Sequence, residues 1–193
     1  MAVVCLCVIA YAVLIIRDFF ALYKKNVLSL IFFISGVVLL TFCTLFVTST
    51  SNVVSVFENN PIFFIVMAIL AGVFLLLLLY SLVFVLPAKD TYVEVNDLKL
   101  VDTGMYALCR HPGVIWLALF FLFAWLALDN VVMLWLGLTS TLLDIVYVII
   151  QDIYIFPKTI EGYCEYKKYT PFLVPDVKSV RRAIMTRKKH VKR

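Results

Sequence analysis

Arg110 and His111 stand directly before Pro112 and a long apolar run, in a position where they could bind an anion. The free backbone N–H groups and the dipole at a helix N-terminus favour negative charge. A guanidinium can hold a carboxylate or a phosphate through two hydrogen bonds, and a proline suits the first turn of a helix. The pattern predicts an anion site, with an Arg-His pair that contacts lipid headgroups as the alternative.

Asp144 is the second candidate, because it lies near the middle of the last apolar run. An acid at that depth in a membrane is costly and is a functional hypothesis by default. Helical spacing predicts a polar stripe on the same face, and we expect it to meet Arg110 and His111 at a polar pocket open to the cytosol. The other predicted members of the stripe are Tyr147, Gln151, Asp152 and Tyr154. A structural role for Asp144 is the alternative, with Thr41, Thr44 or Ser140 as its hydrogen-bond partner.

Apolar runs separate the charged residues in a way that predicts a membrane topology. The chain is 64% hydrophobic with a mean hydropathy of +1.05, whereas soluble domains are about 45–50% apolar. All 17 Lys and Arg residues fall on one side once the chain is divided at its apolar runs, and cytoplasmic loops are enriched in these residues. We therefore predict five spans, an N-terminus outside and a C-terminus in the cytoplasm. The spans cover about 1–22, 27–48, 61–86, 113–128 and 131–156.

The predicted fold is an all-α integral membrane protein, multi-pass, with residues 1–193 as one membrane domain. Asp129 and Asn130 predict a tight hairpin between the last two spans. The cytoplasmic segment 88–112 contains a short β-hairpin at 91–101 or an irregular loop. In the cytoplasmic tail, 157–193, the pattern predicts an amphipathic helix on an anionic lipid leaflet, or else a disordered basic tail.

Composition also limits the partners and the chemistry. The net charge of +5 comes from the tail and does not indicate nucleic-acid binding. Five cysteines without paired ligand spacing predict neither a disulfide framework nor a metal site. Cys109 lies beside Arg110, so it is either a thiol of lowered pKa or a small, partly buried side chain. Small residues at Gly36 and Gly72 predict close helix packing.

Two blocks of the sequence resemble a family of membrane methyltransferases that includes isoprenylcysteine carboxyl methyltransferase and the phospholipid N-methyltransferases. The family's first motif is G-x-Y-x-x-x-R-H-P, and its matches here are Gly104, Tyr106, Arg110, His111 and Pro112. The second is E-E-x-x-L-x-x-x-F-G-x-E-Y-x-x-Y. Aligning its tyrosines on Tyr163 and Tyr166 puts Gln151 and Asp152 at the paired glutamates, where Gln151 replaces an acid. The resemblance covers about 98–175, and 171–175 is similar to the family's closing segment.

The resemblance implies S-adenosylmethionine as the cofactor, held between the last two helices and the cytoplasmic segments. It implies that Arg110 and His111 contact the cofactor's polar parts, that Asp152 takes a glutamate's place, and that Tyr163 and Tyr166 help close the pocket. The acceptor would be a lipid or lipid-linked carboxylate or amine in the bilayer. A carboxylate acceptor needs no general base, whereas an amine must lose a proton, which Asp144 or His111 would take.

Departures from the family pattern define the alternatives. Val114 and Trp116 stand where the family has a tyrosine and a glycine. A tryptophan there would either block the cofactor or face lipid. The alternative functions are a non-catalytic membrane scaffold of the same fold and a nicotinamide-dependent membrane reductase. We rank the reductase lowest, since no further basic cluster lies near Arg110 for a second phosphate.

Overall fold

A computed structural model describes residues 2–23, 27–50, 60–84 and 100–190. Within these ranges the chain is helical and contains no strand. Four helices are long and apolar enough to cross a membrane, namely Ala2–Phe20, Leu28–Thr50, Pro61–Leu82 and Val131–Thr159. A fifth apolar helix, Pro112–Leu128, has 17 residues and is shorter. The length and composition of these helices are those of an integral membrane protein.

The helices are numbered in chain order. Their bounds are α1 Ala2–Tyr23, α2 Val27–Thr50, α3 Pro61–Leu79, α4 Met105–Leu108, α5 Pro112–Leu128, α6 Val131–Ile150, α7 Phe156–Thr159, α8 Tyr163–Tyr169 and α9 Val177–His190. Single π-helical turns extend α3 over Tyr80–Phe84 and α6 over Gln151–Ile155. Such wide turns are rare and often mark functional sites. The predicted tail helix is present as α9, and most of the predicted β-hairpin lies outside the described residues.

Local capping explains where α3 and α6 begin. The Asn60 side chain accepts hydrogen bonds from two backbone N–H groups, and Pro61 occupies the first turn of α3. The Asn130 side chain accepts a 2.7 Å bond from the Val132 N–H at the start of α6. Asp129 ends α5 in the left-handed conformation, with φ 46°. This two-residue break folds α6 back against α5.

Small residues allow the helices to pack closely at two points. A Cβ added at Gly36 would lie 2.7 Å from Leu14 of α1, and one added at Gly137 would lie 2.7 Å from the Phe121 Cβ of α5. Gly72 is different, because a Cβ there would meet nothing within 4 Å. The prediction of close packing is therefore confirmed at Gly36 and wrong at Gly72.

Gly137 and Gly72 provide a matched pair for testing the α5–α6 contact. We expect Gly137→Ala to destabilise the protein by about 1–3 kcal/mol, because the Phe121 Cβ is fixed to its own helix and the backbones must separate. Gly72→Ala should be neutral or slightly stabilising, because alanine favours helix more than glycine. Thermal unfolding in detergent measures both variants. Equal stability of the two would contradict the packing described here.

Candidate functional site

The carboxylate of Asp152 is the centre of a buried polar cluster at the end of α6. Asp152 is only 5% exposed. Its Oδ1 accepts hydrogen bonds from the Arg110 Nε at 2.8 Å and from the Tyr163 hydroxyl at 2.7 Å. Its Oδ2 lies 2.7 Å from the Lys167 Nζ, and the His111 Nε2 lies 3.5 Å from Oδ1. We call these five residues the Asp152 cluster.

The π-helical turn directs two adjacent polar side chains to different neighbours. Asp152 reaches Arg110, whereas Gln151 donates a 2.7 Å hydrogen bond to the Asp18 carboxylate of α1. Tyr154 in the same turn is 56% exposed. The prediction that Asp144, Tyr147, Gln151, Asp152 and Tyr154 all share one face is therefore wrong, because a π turn rotates successive side chains differently from a regular α-helix.

The Arg110 guanidinium is almost saturated by the chain itself. Two of its hydrogen bonds go to Asp152. Its Nη1 donates two more, to the Lys167 carbonyl at 3.2 Å and to the Thr170 carbonyl at 2.7 Å. A guanidinium has five N–H groups, so most of them are engaged. Arg110 and Asp152 thus contact each other directly where the sequence predicts an open pocket between them.

Backbone hydrogen bonds attach the Arg-His segment to the segment that follows α8. The Arg110 N–H donates to the Pro171 carbonyl at 2.9 Å, and the His111 N–H donates to the Phe172 carbonyl at 3.2 Å. Pro112 is buried and forms the first turn of α5. These bonds fix the direction in which the Arg110 and His111 side chains leave the backbone.

His111 is enclosed by aromatic rings. Its imidazole stacks on Phe156 with ring centres 5.9 Å apart, and it meets the edge of Phe172 at 5.0 Å. Burial lowers the pKa of His111 below its ordinary value, although the neighbouring Asp152 acts in the opposite direction. The imidazole is therefore neutral near pH 7. A neutral ring could accept a proton, but it is not a positive partner for an anion.

Tyr106 and Tyr166 stabilise the site by donating hydrogen bonds to backbone carbonyl groups. The Tyr166 hydroxyl donates to the Tyr106 carbonyl at 2.5 Å, and the Tyr106 hydroxyl donates to the Ser81 carbonyl at 3.1 Å in the π turn after α3. Burial raises the pKa of Tyr163 and of Tyr166, so both remain protonated donors. Gly104, which precedes Tyr106, has a positive φ of 61°, which favours glycine.

Cys109 is 1% exposed, and burial raises its pKa to about 11. A thiol with a raised pKa is a poor nucleophile at neutral pH. The interpretation of Cys109 as a low-pKa thiol beside Arg110 is therefore wrong. Its role is that of a small buried side chain in the loop that leads to α5.

Asp144 lies apart from the Asp152 cluster, about two helical turns before Asp152 in the chain. Its carboxylate is near enough to Tyr11 and Tyr147 to interact electrostatically with both. The described residues include no hydrogen-bond partner for this carboxylate. Ser140, one of the partners considered from the sequence, instead pairs with the Cys7 sulfur at 3.1 Å. The two threonines, Thr41 and Thr44, donate to carbonyls of their own helix.

A second buried cluster surrounds Asp18, and sequence reasoning missed it. The Arg17 Nη1 lies 2.5 Å from the Asp18 Oδ1, and Gln151 and Tyr147 reach the same carboxylate from α6. Arg17 is only 7% exposed and lies over the Phe33 ring. The Arg17–Asp18 pair therefore lies in the protein interior. The signal was an acid within an apolar run, the same signal that drew attention to Asp144.

Trp116 packs against α3 and is partly exposed. Its ring stacks on Phe74 of α3, with centres 6.1 Å apart. Its indole N–H is buried and has no acceptor among the described residues. Val114, two residues earlier on α5, is buried. Of these two departures from the family motif, Trp116 thus contributes to the contact between α3 and α5.

Comparison with known proteins gives no matching family model, no matching curated protein and no matching solved structure. Among the described residues, no group of three His, Cys, Asp or Glu side chains could hold a metal ion. The chemistry of the site therefore follows from its own geometry.

Replacing Asp152 tests whether the cluster holds the fold together. We expect Asp152→Asn to lower the free energy of unfolding by about 3–5 kcal/mol, because it leaves buried cations without their counter-charge. Glu165→Gln is the matched control, since the Glu165–Lys168 pair on α8 is solvent-exposed and should contribute at most about 1 kcal/mol. Thermal unfolding in the same detergent compares them. A stable Asp152→Asn variant would show that the cluster is dispensable for folding.

The burial of His111 leads us to expect that the folded protein loses stability in mild acid. Its pKa in the folded protein is lower than its ordinary value of 6.5, so just below pH 6.5 the unfolded chain binds more protons than the folded one. Stability should therefore fall as the pH drops through this range and level off below the folded pKa. The His111→Asn variant should lose less stability between pH 7 and pH 5. Parallel slopes for the two proteins would refute this assignment.

Proposed function

We propose that this chain is a membrane-embedded, S-adenosylmethionine-dependent methyltransferase that acts on a lipid or lipid-linked carboxylate or amine at the cytoplasmic leaflet. One observation supports the proposal above all others. The segments that resemble the family's motifs, 104–112, 151–152, 163–166 and 171–175, converge on the Asp152 cluster although they lie far apart in the sequence. Convergence of this kind is required of a cofactor site built from several segments.

The proposed topology has five spans, with the N-terminus outside and the C-terminus in the cytoplasm. The charge distribution supports it. As the fifth span, α5 would be about 26 Å long at 1.5 Å per residue, close to the roughly 30 Å of a bilayer core. Trp125 and Trp135 flank the turn between α5 and α6, where an outer aromatic belt would lie. The Asp152 cluster would then lie at the cytoplasmic boundary.

The cofactor itself carries a carboxylate, an ammonium and a sulfonium group. Arg110 and Asp152 do not fit as its direct ligands in this arrangement, because each already neutralises the other. They fit a different role, in which their contacts hold the start of α5 against the end of α6 and against α8. Asp144 keeps an acid available near the centre of α6, so it remains the candidate for taking a proton from an amine acceptor.

A non-catalytic membrane scaffold is the second candidate, and two observations favour it. Arg110 is occupied by the chain itself, and Trp116 fills the interface where the family has a glycine. Either feature is compatible with a protein that has kept the fold without the cofactor. The two candidates differ in one measurable property, the binding of S-adenosylmethionine.

Binding and transfer are tested with the purified protein in lipid nanodiscs. We expect calorimetry to detect S-adenosylmethionine binding, and a labelled methyl group to appear in the lipid extract. With an amine acceptor, Asp144→Asn should reduce transfer about 100-fold, as expected for the loss of a general base, while cofactor affinity and thermal stability stay unchanged. No binding by the folded wild-type protein would contradict the enzyme and favour the scaffold.

A further inference from the structure

The helix α9 presents an apolar strip that the rest of the described chain leaves uncovered. The exposed apolar residues of this strip are Val177, Val180, Ile184 and Met185. At helical spacing, Arg181 lies between Val177 and Met185, and Lys178 lies beside Met185 at one edge of the strip. Both cations are exposed. Ser179, on the opposite side, is fully buried and is bonded to Asp176 at the start of the helix. An apolar strip bordered by cations is the pattern of a helix that lies in a membrane surface.

On the other side of α9, an arginine bonds to the last residue of α8 and to the residue after it. The Arg182 guanidinium donates to the Thr170 Oγ1 at 3.1 Å and to the Tyr169 carbonyl. It also lies over the Tyr169 ring, 4.7 Å from the ring centre. Arg182 is therefore directed away from the exposed strip, and binding of that strip to a surface does not require these contacts to break.

Thr170 connects this attachment to the Asp152 cluster. Its hydroxyl oxygen accepts from Arg182, and its carbonyl accepts the 2.7 Å hydrogen bond from the Arg110 Nη1. Thr170 is 2% exposed, and both bonds are partly buried. The next residue, Pro171, accepts from the Arg110 backbone N–H. A change in how α9 is held therefore acts on the residues that position Arg110.

We infer that α9 docks on an anionic lipid leaflet and that this docking tightens the Asp152 cluster through Arg182 and Thr170. The occupant follows from charge complementarity, since Lys178 and Arg181 attract anionic headgroups, and from the proposed topology, which puts α9 on the cytoplasmic side of the spans. Because the leaflet binds the docked helix preferentially, it stabilises every contact that the docked helix makes. The inference rests on the membrane setting of the proposed function and not on catalysis.

Cys109 provides a native reporter of this coupling, because it is buried next to Arg110 while Cys164 on α8 is exposed. The protein is reconstituted in vesicles of zwitterionic lipid, or of the same lipid with an anionic lipid added. A neutral maleimide then labels both thiols, and mass spectrometry gives the two rates. The ratio of the Cys109 rate to the Cys164 rate corrects for reagent access at the surface. We expect the anionic lipid to lower this ratio at least about fivefold.

Four variants locate the effect. Lys178→Gln combined with Arg181→Gln should abolish the lipid dependence by weakening docking, and Arg182→Gln should abolish it by breaking the connection to Thr170. Arg182→Lys keeps the charge but lacks the planar guanidinium, so it should reduce the lipid dependence of the labelling ratio. This variant replaces Arg182→Gln if the glutamine variant is unstable. Lys168→Gln, which removes an exposed cation from α8, should leave the dependence intact.

Several results would overturn the inference. One is a wild-type ratio that does not change with anionic lipid, and another is a full lipid effect in both Arg182 variants. A third is the same change when inorganic phosphate is added to zwitterionic vesicles, because the anion would then be soluble and not a leaflet. No cofactor enters this assay, so its failure is distinguishable from failure of the proposed enzyme, which is judged by S-adenosylmethionine binding.

Discussion

The carboxylate of Asp152 is buried among groups from three separate parts of the chain, and its burial imposes much of the local structure. A carboxylate removed from water is strongly destabilising unless hydrogen bonds and opposite charges compensate it. Arg110, Tyr163 and Lys167 supply that compensation. Arg110 brings the start of α5, and Tyr163 and Lys167 bring α8, so both segments must meet the end of α6 at this point.

The π-helical turn at Gln151–Ile155 explains how α6 serves two clusters at once. Gln151 contacts Asp18 of α1, and Asp152 contacts Arg110 at the start of α5. The same end of α6 is therefore fixed on two sides by buried polar contacts. The opposite end depends on apolar packing and on Gly137 against Phe121. This division places the rigid polar framework of the protein at the proposed cytoplasmic boundary.

The proposed function and the coupling through Thr170 both depend on this framework. A site whose arginine is already paired is ordered before any ligand arrives, which suits either a preorganised frame around a cofactor or a scaffold. Thr170 extends the framework to α9, because its two oxygens hold Arg110 and Arg182. A surface helix and a buried ion pair thereby share one residue, which is the physical basis for expecting lipid charge to affect the cluster.

Local patterns in the sequence determined the helices and their ends. Apolar runs form the long helices, and Asn60 with Pro61 and Asn130 mark where α3 and α6 begin. Arg110 and His111 were recognised from their place before Pro112. Tertiary structure alone decided the partners. That Arg110 pairs with Asp152, that Arg17 and Cys109 are buried, and that Gly72 has open space beside it among the described residues all depend on how distant segments are arranged. Capping and hydrophobicity act over a few residues, so a sequence displays them, whereas charge pairing and burial are set by neighbours that only the folded chain brings together.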